Sequence, residues 1–139
     1  MNMGVENLNK NDIDSYIKLI KEIFGYECNK KTIEKLIRKS QVLIIKKDEE
    51  IVATVTLDER FEYIKNQKYY FVSYFCVKKE YRRQGYASKL FKKIEELVKI
   101  NNIKYIELTS GNQRREAHYF YKDKNFKIKD TMVFVKIYN

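Results

Sequence analysis

The run Val77-Lys78-Lys79-Glu80-Tyr81-Arg82-Arg83-Gln84-Gly85-Tyr86-Ala87-Ser88 holds the residue types of an anion site. An apolar strand enters a basic turn pinned by Gly85, and an amphipathic helix leaves it. A helix start has unpaired N–H groups and a partial positive charge, so a phosphate placed there gains hydrogen bonds and field together. Gly85 permits a backbone conformation closed to other residues and lets a ligand approach with no Cβ in the way, while Ala87 keeps the first helical turn slim. Arg82 and Arg83 add charge, and Lys78, Lys79 and Lys89 crowd the same turn, where their field would draw a ligand bearing a pyrophosphate and a further phosphate. An ordinary solvated loop could share this composition, so the reading needs a second landmark.

That landmark is Ala117-His118-Tyr119-Phe120-Tyr121 with Asn125-Phe126 behind it. Together, Arg82-x-x-Gly85-x-Ala87 and this Ala-x-x-Phe-Tyr helix resemble the two signatures of the GNAT (GCN5-related N-acetyltransferase) superfamily. The resemblance implies a mixed, mostly antiparallel α/β (α+β) sheet with helices on both faces. It also implies acetyl-CoA as co-substrate and acetyl transfer to a primary amine of a small molecule or protein by direct attack. Phe75, Cys76 and Val77 would present backbone to the pantetheine arm. Arg82, Arg83, Gln84, Gly85, Tyr86, Ala87 and Ser88 would hold the pyrophosphate, and Tyr121 would act as general acid. A phenol with a pKa near 10 is protonated at neutral pH, so a departing thiolate can take its proton.

The pattern departs from the family in places. Many relatives carry a glutamate in the fourth strand as general base, but Val72-Ser73-Tyr74-Phe75 has no carboxylate. The base is therefore unassigned, with Glu107, Asp58, Glu59 and Glu62 as candidates acting through water. Glu22, Glu27, Asp58, Glu59 and Glu62 are candidates for gripping a cationic amine. Arg114 stands where many members have asparagine, and Asn125 replaces a glycine, a mild change because asparagine tolerates a left-handed cap. A reading of a different class is a non-catalytic module that binds acyl-CoA or nucleic acid on the same fold.

The elements that must position these residues follow from periodicity. A short strand is expected at 3–8, then a helix capped by Asn11 or Asp12 with Ile13, Tyr16, Ile17, Ile20, Ile23 and Phe24 on one stripe, ending at Gly25. Ile33, Leu36 and Ile37 mark a second helix. Strands at 42–47 and 51–58 form a hairpin around Asp48-Glu49-Glu50, and 69–77, apolar on both faces, reads as a central strand. Tyr86, Leu90, Phe91, Ile94, Leu97 and Val98 give the third helix its buried stripe, with Asn101-Asn102 as its stop. A strand at 104–109, a helix at 113–124 and one or two closing strands within 126–138 complete the expectation.

Composition bounds the rest. The 139 residues suit one acetyltransferase domain spanning 1–139, with no Pro- or Gly-rich linker and no repeat. Apolar runs are far shorter than a membrane span and the N-terminus is polar, which points to a cytoplasmic protein with no membrane partner. Cys28 and Cys76 read as free thiols, and a single histidine with no Cys-x-x-Cys gives no metal site. His118 reads as a half-buried helix residue. The net charge of +10 comes from lysines spread over every segment, which favours a solvated surface over a nucleic-acid face. The abundance of Lys, Asn, Ile and Tyr without Pro or Trp matches an AT-rich bacterial genome. A homodimer stays open as an assembly.

Overall fold

The computed structural model describes residues 4–139, which divide into a unit ending at Leu108 and a second unit, Thr109–Asn139.

The first unit is a five-stranded sheet in the order β1-β2-β3-β4-β5, comprising β1 Val5–Asn7, β2 Gln41–Lys47, β3 Glu50–Glu62, β4 Gln67–Val77 and β5 Tyr105–Leu108. All neighbours run antiparallel except β4 and β5. Helices α1 (Ile13–Phe24) and α2 (Lys30–Lys39) cover one face, burying Ile13, Tyr16, Leu19, Ile20 and Ile33 against Val42, Ile44 and Cys76. Helix α3 (Tyr86–Ile100) turns Leu90, Phe91 and Ile94 inward and packs on β1 to β4. Alternation puts α3 on the opposite face, that of Leu43, Val55 and Leu57. No helix among the described residues is long and apolar enough to cross a membrane.

Local chemistry explains the boundaries. Asp12 is the N-cap position of α1 but its side chain makes no capping hydrogen bond; Asn9 caps the 3-10 turn that runs into α1, its Oδ1 accepting from Asn11 N at 2.8 Å. Asp12 is buried instead, with Oδ1 on Lys46 Nζ at 3.3 Å. Gly25 ends α1 in the left-handed region at φ 79°. Asn29 caps α2, its Oδ1 accepting from Lys31 N and Thr32 N at 2.9 and 3.3 Å. The β2–β3 turn is tighter than expected, with Lys47 opposite Glu50 and both Asp48 and Glu49 at positive φ, the geometry of a two-residue hairpin of mirror-image hand. Asn102, at φ 55°, follows the end of α3 as the left-handed stop. Of the expected first strand, Met3 lies outside the described residues.

The second unit holds α4, Arg115–Asp123, and Asn125 at φ 70° after it. The closing strands expected within 126–138 do not form: residues 127–139 carry no strand, and Met132, Val133, Phe134, Val135 and Ile137 are exposed. A β-rich composition is not a strand until a neighbour pairs with its backbone.

Candidate active site

Two irregularities in β4 prepare the site. Thr54 pairs with Cys76 and Thr56 with Ser73, so Tyr74 and Phe75 together oppose Val55 in a β-bulge. Tyr74 sits there at φ 48°, an uncommon conformation for a bulky residue, with its ring edge-on to Phe24 at 5.1 Å. The parallel ladder between β4 and β5 runs from Tyr69–Tyr105 to Val72–Leu108 and goes no further, so the bulge lies where the two strands stop pairing.

From Val77 the chain passes through a 3-10 turn at Lys79–Tyr81 and reaches Gly85 at φ 86° and ψ 7°, which opens α3 with no side-chain cap. The Gly85 carbonyl accepts from Lys89 N at 3.0 Å, leaving the amides before Lys89 at the helix mouth. A Cβ built on Gly85 meets nothing within 4 Å, so the glycine serves its φ and an open approach rather than packing. Arg83, exposed at φ 62°, adds a second left-handed residue to the turn. Tyr81 and Tyr86 brace the turn edge to face at 6.1 Å, with Lys47 Nζ and Lys89 Nζ over their rings at 5.5 and 5.0 Å. The turn therefore fits an anionic ligand of the pyrophosphate class.

The basic residues around the turn differ in availability. Arg82 Nε donates to Val77 O at 3.0 Å, and Gln84 Nε2 to Glu80 O at 3.3 Å, so both side chains hold the loop together. Lys78 is nearly covered and paired with Glu50 at 2.7 Å. Lys47, the last residue of β2, stands over Tyr81 of this turn, a basic neighbour that sequence separation hid.

The acidic candidates are also sorted. Glu27 pairs with Lys21 at 2.6 Å, and Glu62 accepts from Lys65 N at 2.6 Å to close the β3–β4 turn. Glu59 lies opposite Tyr70, on the α3 side of the sheet, 4.0 Å from Lys68. Glu22 lines a cavity of about 290 Å³ with Asp14, Glu49, Glu50 and Lys78, whose acidic wall is unsuited to a pyrophosphate. Asp58 of β3 and Glu107 of β5 both lie opposite Phe71, and one Asp58 oxygen accepts from Ser40 Oγ.

Phe75 and Cys76 are buried and Val77 half-buried; neither Cys76 nor the half-buried Cys28 is in a disulfide. In the second unit, the half-buried Tyr121 has its ring 5.5 Å from that of Phe126, and its carbonyl accepts from Phe126 N at 2.9 Å. His118, half-buried on the same helix, belongs to no metal-binding group: among the described residues no cluster of His, Cys, Asp and Glu could hold an ion.

The mixed five-stranded sheet, with its bulged β4 and a glycine opening α3, matches the fold of acetyltransferases of known structure. The acetyltransferase (GNAT) family profile matches residues 13–126, and the chain belongs to that family. Among solved structures it is similar to a ribosomal-protein-alanine N-acetyltransferase from Brucella melitensis biovar Abortus 2308, at TM-score 0.80 and 15% identity over 96% of this chain and 99% of that one. An aminoglycoside 6′-N-acetyltransferase from Acinetobacter baumannii gives 0.80 and 17%, with 97% of each chain covered. A transcriptional regulator from Bacillus halodurans C-125 gives 0.85 and 16%, over 96% and 98%. At these identities the likeness is one of fold. No curated protein matches the sequence.

Proposed function

We propose that this chain is an acetyl-CoA-dependent N-acetyltransferase acting on a primary amine, and that its 139 residues work as one domain, a reading supported by a family match that runs through both units. The observation that carries it is Gly85, left-handed and uncapped at the mouth of α3, a short basic turn away from the β4 bulge. The amides from Arg83 to Ser88 hold the pyrophosphate, with Arg83 and Lys89 supplying charge. Backbone of Phe75, Cys76 and Val77 orients the pantetheine arm. When bound, acetyl-CoA supplies an activated acyl group whose thiolate leaves as the amine attacks. Tyr121 gives that leaving group its proton.

The test is binding followed by turnover. Acetyl-CoA at a hundredfold above its dissociation constant should stabilise the protein by about 2.7 kcal/mol. Gly85→Glu sets an anion against the pyrophosphate and should abolish that gain. Equal stabilisation by pantetheine lacking the phosphates would remove the phosphate turn from the site. Release of free coenzyme A thiol across an amine panel then separates an enzyme from a module that binds without turnover, the reading favoured by the absence of a carboxylate at Ser73 and Tyr74.

A further inference from the structure

The face of the sheet open to an acceptor follows from register. Residues opposite one another share a face, so Thr56 with Ser73, Asp58 with Phe71 and Arg60 with Tyr69 lie on one side. Phe71 and Tyr69 continue that side into Glu107 and Tyr105 of β5, and the Tyr69 and Tyr105 rings stack 4.6 Å apart. On the other side Leu57, Tyr70 and Val72 are buried, and Asn101 Nδ2 donates to the Tyr70 hydroxyl at 2.8 Å. The first side is closed at Thr56 and half-exposed at Asp58, Phe71 and Ser73. Within this unit, an acceptor bound for the end of the β4–β5 ladder has Phe71 on its path.

On that path the protein already holds a cation. The Arg60 guanidinium stands 4.2 Å from the centroid of the Phe71 ring, within cation–π range. Asp58 and Glu107 are the register partners of Phe71 on its two neighbouring strands, so a carboxylate-bearing residue stands on either side of the ring. Resting on the acetyltransferase reading above, we infer that Phe71, Asp58 and Glu107 form a seat for the second positive charge of a dicationic acceptor, and that Arg60 is an internal stand-in which the acceptor displaces. The attacking amine must be neutral, but a second ammonium on the same molecule stays charged and needs a partner. Phe71 and Ser73, successive side chains on this face, are about 7 Å apart, which matches a short alkyl diamine.

A probe that cannot react separates the seat from the chemistry. A short alkane bis(trimethylammonium) salt has no N–H to acetylate. It should raise the melting temperature of the full chain, bind about 2–5-fold more tightly to Arg60→Gln, and lose affinity by a similar factor in Phe71→Leu, the size of an exposed cation–π contact. Phe71→Tyr, which keeps a π face, should retain binding. In turnover, the kcat/KM ratio of a diamine over its matching monoamine should rise in Arg60→Gln and fall in Asp58→Asn. Unchanged probe binding in Phe71→Leu, or weaker binding in Arg60→Gln, overturns the seat even if the protein acetylates amines. Probe binding as expected with no coenzyme A release from any amine upholds the seat and removes the acetyltransferase reading instead.

Discussion

Lys78 Nζ lies 2.7 Å from Glu50 Oε1 and 3.7 Å from Glu80 Oε2, so a lysine that sequence places at the phosphate turn spends its charge on joining β3 to β4. The hydrogen bond to Lys78 holds the Glu50 carboxyl below its ordinary 4.5, and the same bond holds Lys78 above its ordinary 10.5. The unfolded chain therefore binds more protons than the native one just below 4.5, and fewer just above 10.5. The pair's contribution is full between those values. It is lost as pH falls through the folded Glu50 value or rises through the folded Lys78 value. Glu50→Gln should flatten the acid limb in denaturant titrations at stepped pH. Lys78→Met should lower stability at neutral pH while weakening acetyl-CoA binding less than Arg83→Gln does; the reverse order would make Lys78 a phosphate ligand.

Tyr16 gives a second pH signature. Burial pushes its phenol up to about 12, with the nearby Thr56 hydroxyl pulling the other way. Thr56 Oγ1 makes no hydrogen bond of ordinary geometry, so burial dominates. Between pH 10 and 12 the unfolded chain loses a proton that the native chain keeps, so stability falls as pH rises across that window. The total is about 3 kcal/mol for a shift of this size. Burial also raises Tyr70, so Tyr16→Phe should remove part of the alkaline slope rather than all of it. A slope that is identical in the variant would show that Tyr16 ionises as freely folded as unfolded.

Much of this was legible in sequence because it is written in local chemistry. Gly25 and Gly85 announce left-handed positions, the apolar stripe of α3 needs only a helical period, and the alternation of β2 and β3 gives a hairpin. Pairing across the sheet is not local. Nothing in Val72-Ser73-Tyr74-Phe75 signals a bulge, since Tyr74 has no conformational licence for positive φ and is held there by its neighbours. Lys47 over Tyr81 and Arg60 over Phe71 join residues whose separation in sequence carries no signal. Residues 127–139 err the other way: their composition is that of a strand, but strand formation depends on a partner that composition does not name.

Tyr121 is tested by removing its hydroxyl alone. Tyr121→Phe keeps the ring that packs beside Phe126, so folding and acetyl-CoA affinity should change little. Loss of a general acid typically costs about 10²–10⁴-fold in rate, and the fall should appear in kcat. The loss should shrink with acyl donors whose thiol leaving group is more acidic, since these need less proton assistance. Unaltered turnover where chemistry limits the rate would leave Tyr121 as a packing residue.

The absence of a carboxylate at Ser73 and Tyr74 sets the pH–rate profile. In β3, Glu50 pairs with Lys78, Glu59 with Lys68, Glu62 with the Lys65 amide and Asp58 with Ser40, and β4 carries no acid, so neither strand places a dedicated base. The acceptor must then arrive neutral or lose its proton to solvent through water. An amine with a pKa near 10 is only about a thousandth neutral at pH 7. The logarithm of kcat/KM should therefore climb with pH at close to unit slope through neutrality, and amines of lower pKa should gain most. Ser73→Ala and Glu107→Gln should lower the profile or leave it in place without bending it. A plateau beginning near pH 6 to 7 that disappears in Glu107→Gln or Asp58→Asn would identify that carboxylate as the base, and would move Asp58, if it is the one, from holding a cation to accepting its proton.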